Sequence, residues 1–455
     1  MLKKAITAVL AGVMVLSMAA CGSKDGGSSA SIATASASAA ANTETATTSA
    51  AQAAPSPDTR KLTDAEGTVV MWNWENQDQL KETLEDFYNR YPKVKVESVP
   101  VASADYVKKV KTAVAAKTAL PDVVRGEIGF RGTLFDMNIL DDLSQAPYNF
   151  DKSKVPEQAW PLVMNDKGVV LGALTQFNPS GIAYRRSMVK ELFGTDDPIA
   201  LADKFKTWDD IINAFKDAKI SGKKVYAFRS VRDIFHIVDG YNPTNPIQEG
   251  TVKFQEVYLP TFELIEKMWK AGILNKYDFW TPAWNASFAK HEDVFTAAAP
   301  WFLKYVVEPN DTKGSGDWGV TVAPGGMFNW GGTALSVWKD SKVKEASWAY
   351  IYDQILNENG VKNSFEIGMN ITPVKEFMDK PGFYSKQEPY WGNQDVGKFF
   401  MDNIGAVKVK ALGKYDSYLE ANFVLGLQEI KKGKTAQEAV DAMIADIKKN
   451  VPELK

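Results

Sequence analysis

The order of apolar and polar positions changes at about residue 61, where the chain begins to alternate two kinds of segment. Short β-branched and aromatic runs predict strands, and segments with apolar side chains at helical spacing predict helices. The predicted strands are residues 68–74, 94–101 and 120–124, and the predicted helices are residues 76–91 and 105–117. The predicted core positions of the second helix are Tyr106, Val107, Val110 and Val114. This alternation indicates a parallel sheet covered by helices.

A second region of the same kind follows from about residue 168. Its predicted strands are residues 181–185 and 224–228, and its predicted helices are residues 207–219 and 262–271. A last helix is predicted from Thr435, because Thr435 and Glu438 have the spacing of a capping box. Its predicted core positions are Val440, Met443, Ile444 and Ile447. The sequence therefore predicts an α/β protein with two lobes.

Polar and aromatic side chains follow the predicted strands of the first region. Trp74, Glu75 and Asn76 come directly after the first strand, and Glu127 follows the third. In open α/β sheets, ligands bind beyond the carboxyl ends of the strands. We therefore expect a binding site at this edge of the sheet.

The amino terminus has the pattern of an export signal. Lys3 and Lys4 precede an apolar run over residues 5–20, which is too short to span a bilayer comfortably, and Cys21 follows small residues. This end resembles the lipobox of bacterial lipoproteins, although Met18 stands where Leu is usual. The resemblance implies a signal peptide over residues 1–21 and lipidation of Cys21. A transmembrane anchor and a secreted protein with a spare thiol are the alternatives.

A linker is predicted between this signal and the first strand. Ser, Ala and Thr make up 26 of the 38 residues over 22–59, and none of these residues is aromatic. Such a segment cannot bury enough apolar surface to offset its chain entropy. We expect residues 22–60 to be a disordered tether.

Composition and motifs exclude several classes of function. The formal charge is −3, from 53 Lys and Arg against 56 Asp and Glu, which gives no electrostatic footprint for nucleic acid. The chain has one cysteine and two histidines, so we expect no metal site and no cofactor. The glycines of residues 314–319 fit the dinucleotide fingerprint, but a polar loop precedes them and a strand is predicted after them. No catalytic residue is assigned, although the paired carboxylates of a glycoside hydrolase remain open.

Aromatic residues are abundant, with 13 Trp, 16 Tyr and 23 Phe. Five tryptophans lie beside turn residues rather than inside periodic stripes: Trp72, Trp74, Trp301, Trp330 and Trp391. An indole offers a flat apolar face and one hydrogen-bond donor, which suits a pyranose ring. Packing in a core between the lobes is the alternative. Gln176 and Asn178, in the polar crossing over residues 175–181, are expected to face the same cleft unless this segment is an ordinary turn.

The folded part resembles the extracellular solute-binding proteins of carbohydrate ABC importers, the group that includes maltose-binding and oligosaccharide-binding lipoproteins. The segments that carry the resemblance are residues 68–74, 121–124, 181–186, 207–210, 299–301, 329–333 and 390–394. The resemblance implies two α/β lobes joined by a hinge, with a sugar bound in the cleft between them. It places lobe I at residues 61–175 plus 333–372 and lobe II at residues 176–332 plus 373–455.

The loop tryptophans, the polar crossing and the resemblance together give a set of candidate sugar-binding residues. These are Trp74, Glu75, Asn76, Glu127, Gln176, Asn178, Arg232, Asp233, Trp301, Trp330, Gly331 and Trp391. Asn178 stands where the maltose-binding pattern has a carboxylate, and the Glu-Pro-Tyr of that pattern is missing near Arg232. Both departures argue against a maltodextrin.

The expected function is that of a lipid-anchored, extracytoplasmic sugar receptor for an ABC importer. A monomer would capture a disaccharide or oligosaccharide, close around it and deliver it to the permease in the membrane. A surface-anchored glycoside hydrolase and a glycan-binding lectin are the alternatives.

Overall fold

The computed structural model describes residues 62–455. The strands are β1 (Gly67–Asn73), β2 (Val94–Pro100), β3 (Val123–Glu127), β4 (Ala173–Leu174), β5 (Pro179–Arg185), β6 (Lys219–Ile220), β7 (Lys223–Lys224), β8 (Tyr226–Phe228), β9 (Ile247–Gln248), β10 (Thr251–Val252), β11 (Asp293–Ala298), β12 (Trp318–Thr321), β13 (Phe328–Asn329) and β14 (Thr333–Val337). The predicted signal peptide, Cys21 and the predicted linker lie outside the described residues.

The helices surround these strands. They are α1 (Gln77–Arg90), α2 (Ser103–Ala116), α3 (Ile128–Asp136), α4 (Arg186–Phe193), α5 (Pro198–Lys204), α6 (Trp208–Phe215), α7 (Val231–Tyr241), α8 (Phe254–Val257), α9 (Leu259–Lys270), α10 (Pro282–Ser287), α11 (Pro300–Phe302), α12 (Glu308–Asn310), α13 (Lys344–Ile355), α14 (Glu358–Gly368), α15 (Lys375–Met378), α16 (Val396–Asn403), α17 (Asp416–Lys431) and α18 (Ala436–Asn450). No helix of the described residues is both long enough and apolar enough to cross a membrane.

The first sheet has the strand order β2–β1–β3–β14–β4. β1 pairs in parallel with β2 and β3, as the strand–helix alternation predicts. β14 pairs antiparallel with both β3 and β4, so the sheet is mixed rather than parallel throughout. The difference arises because β14 enters the sheet from the second half of the chain, more than 200 residues after β3.

The second sheet has the strand order β12–β5–β11–β8, and β13 also pairs with β5. β5 is antiparallel to β11, β12 and β13, while β11 and β8 are parallel. Every residue of β5 is buried, because helices and loops cover both faces of this strand. We call the parts of the chain built on the first and second sheets lobe I and lobe II.

The backbone crosses between the lobes at adjacent places. Residues 175–178 join β4 to β5, and residues 330–332 join β13 to β14. A third crossing over residues 369–374 lies against the first, where the Phe177 amide donates to the Ile371 carbonyl over 2.7 Å. The Thr372 hydroxyl donates to the Leu174 carbonyl over 2.8 Å. Both lobes belong to one compact unit, and the predicted residue boundaries between them stay a prediction.

Several predicted elements are shifted at their ends. The third strand is Val123–Glu127 rather than 120–124, since Leu120 and Pro121 precede it as buried loop residues. α2 buries Tyr106, Val110 and Ala113. The prediction that Val114 faces the core is wrong, because this side chain lies at the edge of the buried stripe and is 38% exposed.

In the second region, the ends of two predicted elements also differ from the prediction. The predicted helix over residues 207–219 ends earlier, at Phe215. The predicted strand over residues 224–228 is shortened to Tyr226–Phe228. Both elements keep their predicted type.

The carboxyl-terminal helix begins where the capping box predicts. The Thr435 hydroxyl oxygen accepts from the Glu438 amide over 3.2 Å, and the Glu438 carboxylate accepts from the Thr435 amide over 2.9 Å. Val440, Met443 and Ile447 are buried, and Ile444 is half-buried. This prediction is confirmed.

Candidate functional site

A cleft of about 1370 Å³ lies between the two lobes. The turns after β1 and β3 form its lobe I side, at the carboxyl ends of two neighbouring strands. The opposite side comes from α7, α17 and the segment that begins with α11, and the crossing over residues 330–332 closes its base. A cleft of this size is larger than most small-molecule sites and has room for more than one sugar ring.

The turn after β1 places an indole and a carboxylate at the cleft. The buried Asn73 side chain accepts from the Glu75 amide over 3.0 Å and thereby fixes the turn. The Asn76 side chain caps α1 by accepting from the Asp78 amide over 2.9 Å. The Trp74 ring packs edge-on against Tyr106, with 5.3 Å between ring centroids. The first wall of the cleft is therefore held by local backbone contacts.

An ion pair lies behind this wall. The guanidinium of buried Arg125 donates to the Glu75 carboxylate and lies 5.1 Å from the centre of the Trp74 ring. This pair fixes the carboxylate and the indole relative to each other. Glu75 is one-third exposed, so it remains accessible from the cleft.

Glu127 and Asp416 line the cleft, and neither carboxyl group forms an ion pair with another of the described residues. Glu127 caps α3 by accepting from the Gly129 amide over 2.7 Å, and Asp416 begins α17 and accepts from the Gly413 amide over 2.9 Å. Burial raises the pKa of Glu127 to about 7, although the Gly129 amide and Arg131 oppose the increase. Burial also raises the pKa of Asp416 to about 7, and the charge of Glu127 adds to this effect.

The fully buried Arg131 supports the base of the cleft. It donates over 2.9 Å to the carbonyls of Gly126 and Leu162, and its third donor binds the Gly332 carbonyl. Burial lowers its pKa to about 10. Because these donors bind backbone carbonyls on three segments, Arg131 connects the crossing to the end of β3.

A row of rings forms the opposite wall. Trp280 and Trp301 are nearly parallel, with ring centroids 6.3 Å apart, and Trp301 meets Trp330 at 5.2 Å. Trp330 stacks on His236 at 4.8 Å. The Trp301 indole donates to the Trp330 carbonyl over 3.2 Å. The row presents a continuous apolar surface to the cleft.

Two glycines let the crossing approach this row. Gly331 and Gly332 have φ values of 74° and 118°, which favour glycine. A Cβ at Gly331 would lie 3.0 Å from the Trp301 indole nitrogen, and one at Gly332 would lie 2.7 Å from the Gln176 carbonyl oxygen. Larger residues would therefore push the crossing out of the base of the cleft.

A network of hydrogen bonds begins at Arg232 in the first turn of α7. The Arg232 guanidinium donates to His236 Nε2 over 3.0 Å and to the Glu420 carboxylate on α17. Burial and the nearby Arg232 charge hold the pKa of His236 well below its usual range, so the imidazole is neutral and accepts. Arg232 thus joins α7 to α17 at the cleft.

Comparison with known proteins identifies the group to which the chain belongs. The family model of the bacterial extracellular solute-binding proteins matches residues 82–388. The chain belongs to this family. An extracellular family places the protein outside the cytoplasm, and its members are solute-binding proteins rather than enzymes. The family expected from the sequence motifs is confirmed.

Solved structures share the fold at low sequence identity. An extracellular solute-binding protein of family 1 has a TM-score of 0.73 at 20% identity, over 85% of this chain and 99% of that one. The GacH receptor of Streptomyces glaucescens GLA.O has a TM-score of 0.70 at 17% identity, over 86% and 100%. The ABC transporter associated binding protein from B. animalis subsp. lactis Bl-04 has a TM-score of 0.71 at 18% identity, over 85% and 98%. No curated protein matches the sequence. The predicted two-lobed α/β fold is confirmed.

Nine of the twelve predicted binding residues line the cleft. They are Trp74, Glu75, Asn76, Glu127, Gln176, Arg232, Trp301, Trp330 and Gly331. Some of their polar groups already have partners within the protein, as when the Gln176 amide donates to Asn370 over 2.5 Å. Their contact with a sugar stays a prediction.

The structure corrects the placement of the other three residues, which are fully buried away from the cleft surface. The Asp233 carboxylate belongs to the capping box at the start of α7. It also accepts from the Thr296 hydroxyl and the Ala297 amide, each over 2.9 Å, and so connects α7 to β11. The Trp391 indole donates to Glu308 over 3.1 Å. Asn178 lies behind Gly332 in the first crossing.

Several cleft residues were not predicted. Trp280 follows a loop in the same way as the other tryptophans, so the loop criterion would have found it. His236, Asp416 and Glu420 lie on helices with no distinctive local motif, and the fold alone brings α7 and α17 together. Within residues 62–455 no cluster of three or more His, Cys, Asp or Glu side chains could hold a metal ion.

Proposed function

We propose that the protein is the substrate-binding component of an ABC importer and captures a disaccharide or oligosaccharide. The observation that carries the proposal is a cleft between two lobes with indole rings on both walls and hydrogen-bonding side chains between them. The apolar face of a pyranose stacks on an indole, while its hydroxyl groups need acceptors and donors. Trp74, Trp301 and Trp330 offer the rings, and Glu75 and Glu127 offer acceptors.

The charges in the cleft favour a neutral ligand. The three lysine and arginine side chains that line it each face a carboxylate. Lys304 donates to Glu308 over 2.9 Å, Lys410 donates to Asp239 over 2.6 Å, and Arg232 donates to Glu420. An anionic ligand would have to compete for these cations, whereas a neutral sugar would not.

The ligands of proteins with the same fold support the sugar class. The GacH receptor was solved with acarbose, and the B. animalis protein was solved with beta-1,6-galactobiose. These neighbours come from different bacteria, and each is described in complex with a carbohydrate. We infer the same class of ligand for this cleft.

Transport would require closure of the lobes. A sugar that contacts both walls would favour a closed state, with movement at the crossings over residues 175–178 and 330–332. The closed monomer would dock on the membrane permease. A lipid on Cys21 would anchor the protein to the membrane.

A surface-anchored glycoside hydrolase is the second candidate, because Glu127 and Asp416 bring two carboxyl groups of raised pKa to one cleft. Family membership favours the receptor. Incubation with an oligosaccharide distinguishes the two functions, because a hydrolase releases shorter sugars and a receptor returns the oligosaccharide intact.

Intrinsic tryptophan fluorescence tests the proposal. The purified protein is titrated with galacto-, malto- and cello-oligosaccharides, and a saturable change with one series is expected. Trp301→Ala should weaken that binding roughly tenfold through the loss of stacking. Trp348→Phe is the matched control, since Trp348 is buried on α13 away from the cleft and its replacement should leave affinity unchanged. A flat response of the folded native protein to all three series would contradict the proposal.

A further inference from the structure

Trp280 differs from the other cleft tryptophans in its exposure. Only three large apolar side chains of residues 62–455 are classed as exposed: Val114, Ile199 and Trp280. Trp280 is the one that lines the cleft, and 52% of its surface is exposed. The indole face at the rim of the cleft is therefore available to a ligand.

The backbone at Trp280 is unfavourable for a bulky residue. Its φ of 67° lies in the left-handed region, which glycine and asparagine occupy more readily than tryptophan. The fold would accept either smaller residue at less conformational cost. A tryptophan at such a position indicates a role for the ring rather than for the backbone.

The turn that carries Trp280 is held at several points. The Thr281 hydroxyl donates to the Asp278 carbonyl over 2.8 Å and accepts from the Trp284 amide over 3.2 Å at the start of α10. The Asp278 carboxylate accepts from Lys431 on α17 over 2.6 Å. The Trp280 ring packs edge-on against the buried Trp284, at 5.1 Å. The exposed ring is therefore fixed before a ligand arrives.

The ring also continues the aromatic wall outward. Its plane is inclined by only 24° to that of Trp301, and Trp301 leads on to Trp330. We propose that Trp280 forms an outer subsite that stacks on an additional sugar ring, so that the preferred ligand is an oligosaccharide longer than a disaccharide. This inference rests on the proposed function and names its substrate class more closely.

The test compares chain lengths in the full protein by calorimetry. Galacto-, malto- and cello-oligosaccharides of two to five units serve as probes. In the native protein, affinity for the series that binds should rise by roughly three- to tenfold beyond two units. Trp280→Asn should remove this rise, so that affinity no longer increases beyond two units. Trp280→Phe, which keeps a smaller ring, should retain part of it.

Two controls separate the subsite from other effects. Asparagine suits the left-handed backbone, so Trp280→Asn should unfold at the same temperature as the native protein or higher. Ile199→Ala removes an exposed apolar side chain outside the cleft and should keep the full dependence on chain length.

The outcomes separate this inference from the function on which it rests. Sugar binding without a gain beyond two units, or a gain that survives in Trp280→Asn, would overturn the outer subsite and leave the receptor intact. If the native protein bound none of the three series, the receptor function itself would fail and the subsite with it.

Discussion

Replacing Glu127 by Gln should make the protein more stable at alkaline pH. Burial raises the pKa of this carboxyl from 4.5 to about 7, so between these values the native state holds a proton that the unfolded state has released. Stability therefore falls as the pH rises through this range. Below pH 4.5 both states are protonated and the effect disappears. Gln resembles the protonated carboxyl and keeps an oxygen for the Gly129 amide.

The size of the effect follows from the two pKa values. An increase from 4.5 to about 7 corresponds to roughly 3 kcal/mol once the group is ionised in both states. Burial raises the pKa of Asp416 into the same range and the charge of Glu127 adds to this increase, so the replacement also removes that part of the effect on Asp416. We expect Glu127→Gln to gain about 1–3 kcal/mol over the native protein at pH 8 and less than about 0.5 kcal/mol at pH 4.5.

Urea unfolding at pH 4.5, 6 and 8 measures this difference. The control is Glu97→Gln, which changes an exposed carboxylate on β2 and should follow the native curve at every pH. If the free energies of unfolding of the native protein and Glu127→Gln differed by the same amount at pH 4.5 and pH 8, burial of this carboxyl would not destabilise the folded protein.

Two other substitutions test the packing that holds the cleft and the last helix. Gly332→Ala should lower stability by about 1–3 kcal/mol in thermal unfolding, because its Cβ would lie 2.7 Å from the Gln176 carbonyl oxygen. Gly168 also has a positive φ, of 75°, but has open space around it, so Gly168→Ala should lose less stability. Equal losses in the two variants would contradict a steric clash at Gly332. Thr435→Ala should cost about 1 kcal/mol in urea unfolding through loss of the cap that it shares with Glu438, and it should leave sugar affinity unchanged.

Local patterns predicted the elements whose signals are local. The capping box at Thr435 and the strand–helix order of the first region depend on neighbouring residues, and the structure has both. The mixed pairing of the first sheet depends on β14, which follows every strand of the second sheet in the sequence. No periodicity within residues 333–337 shows that this strand will lie beside β3.

The same distinction applies to the site. Trp74 and Glu127 follow strands, and the general rule for sheet edges locates them at the cleft. Trp391 also lies beside turn residues, yet it packs in the core, because loop position does not determine whether an indole faces solvent or another segment. Asp416 and Glu420 reach the cleft through the packing of α17 beside α3 and α7, which sequence spacing does not encode.

A crystal structure with a bound sugar tests the central claim most directly. The protein would be crystallised with the oligosaccharide that gives the strongest fluorescence response. We expect sugar rings in the cleft between the lobes, stacked on Trp301 and Trp330, with hydroxyl groups near Glu75 and Glu127. A sugar bound outside this cleft, with the aromatic wall uncovered, would contradict it.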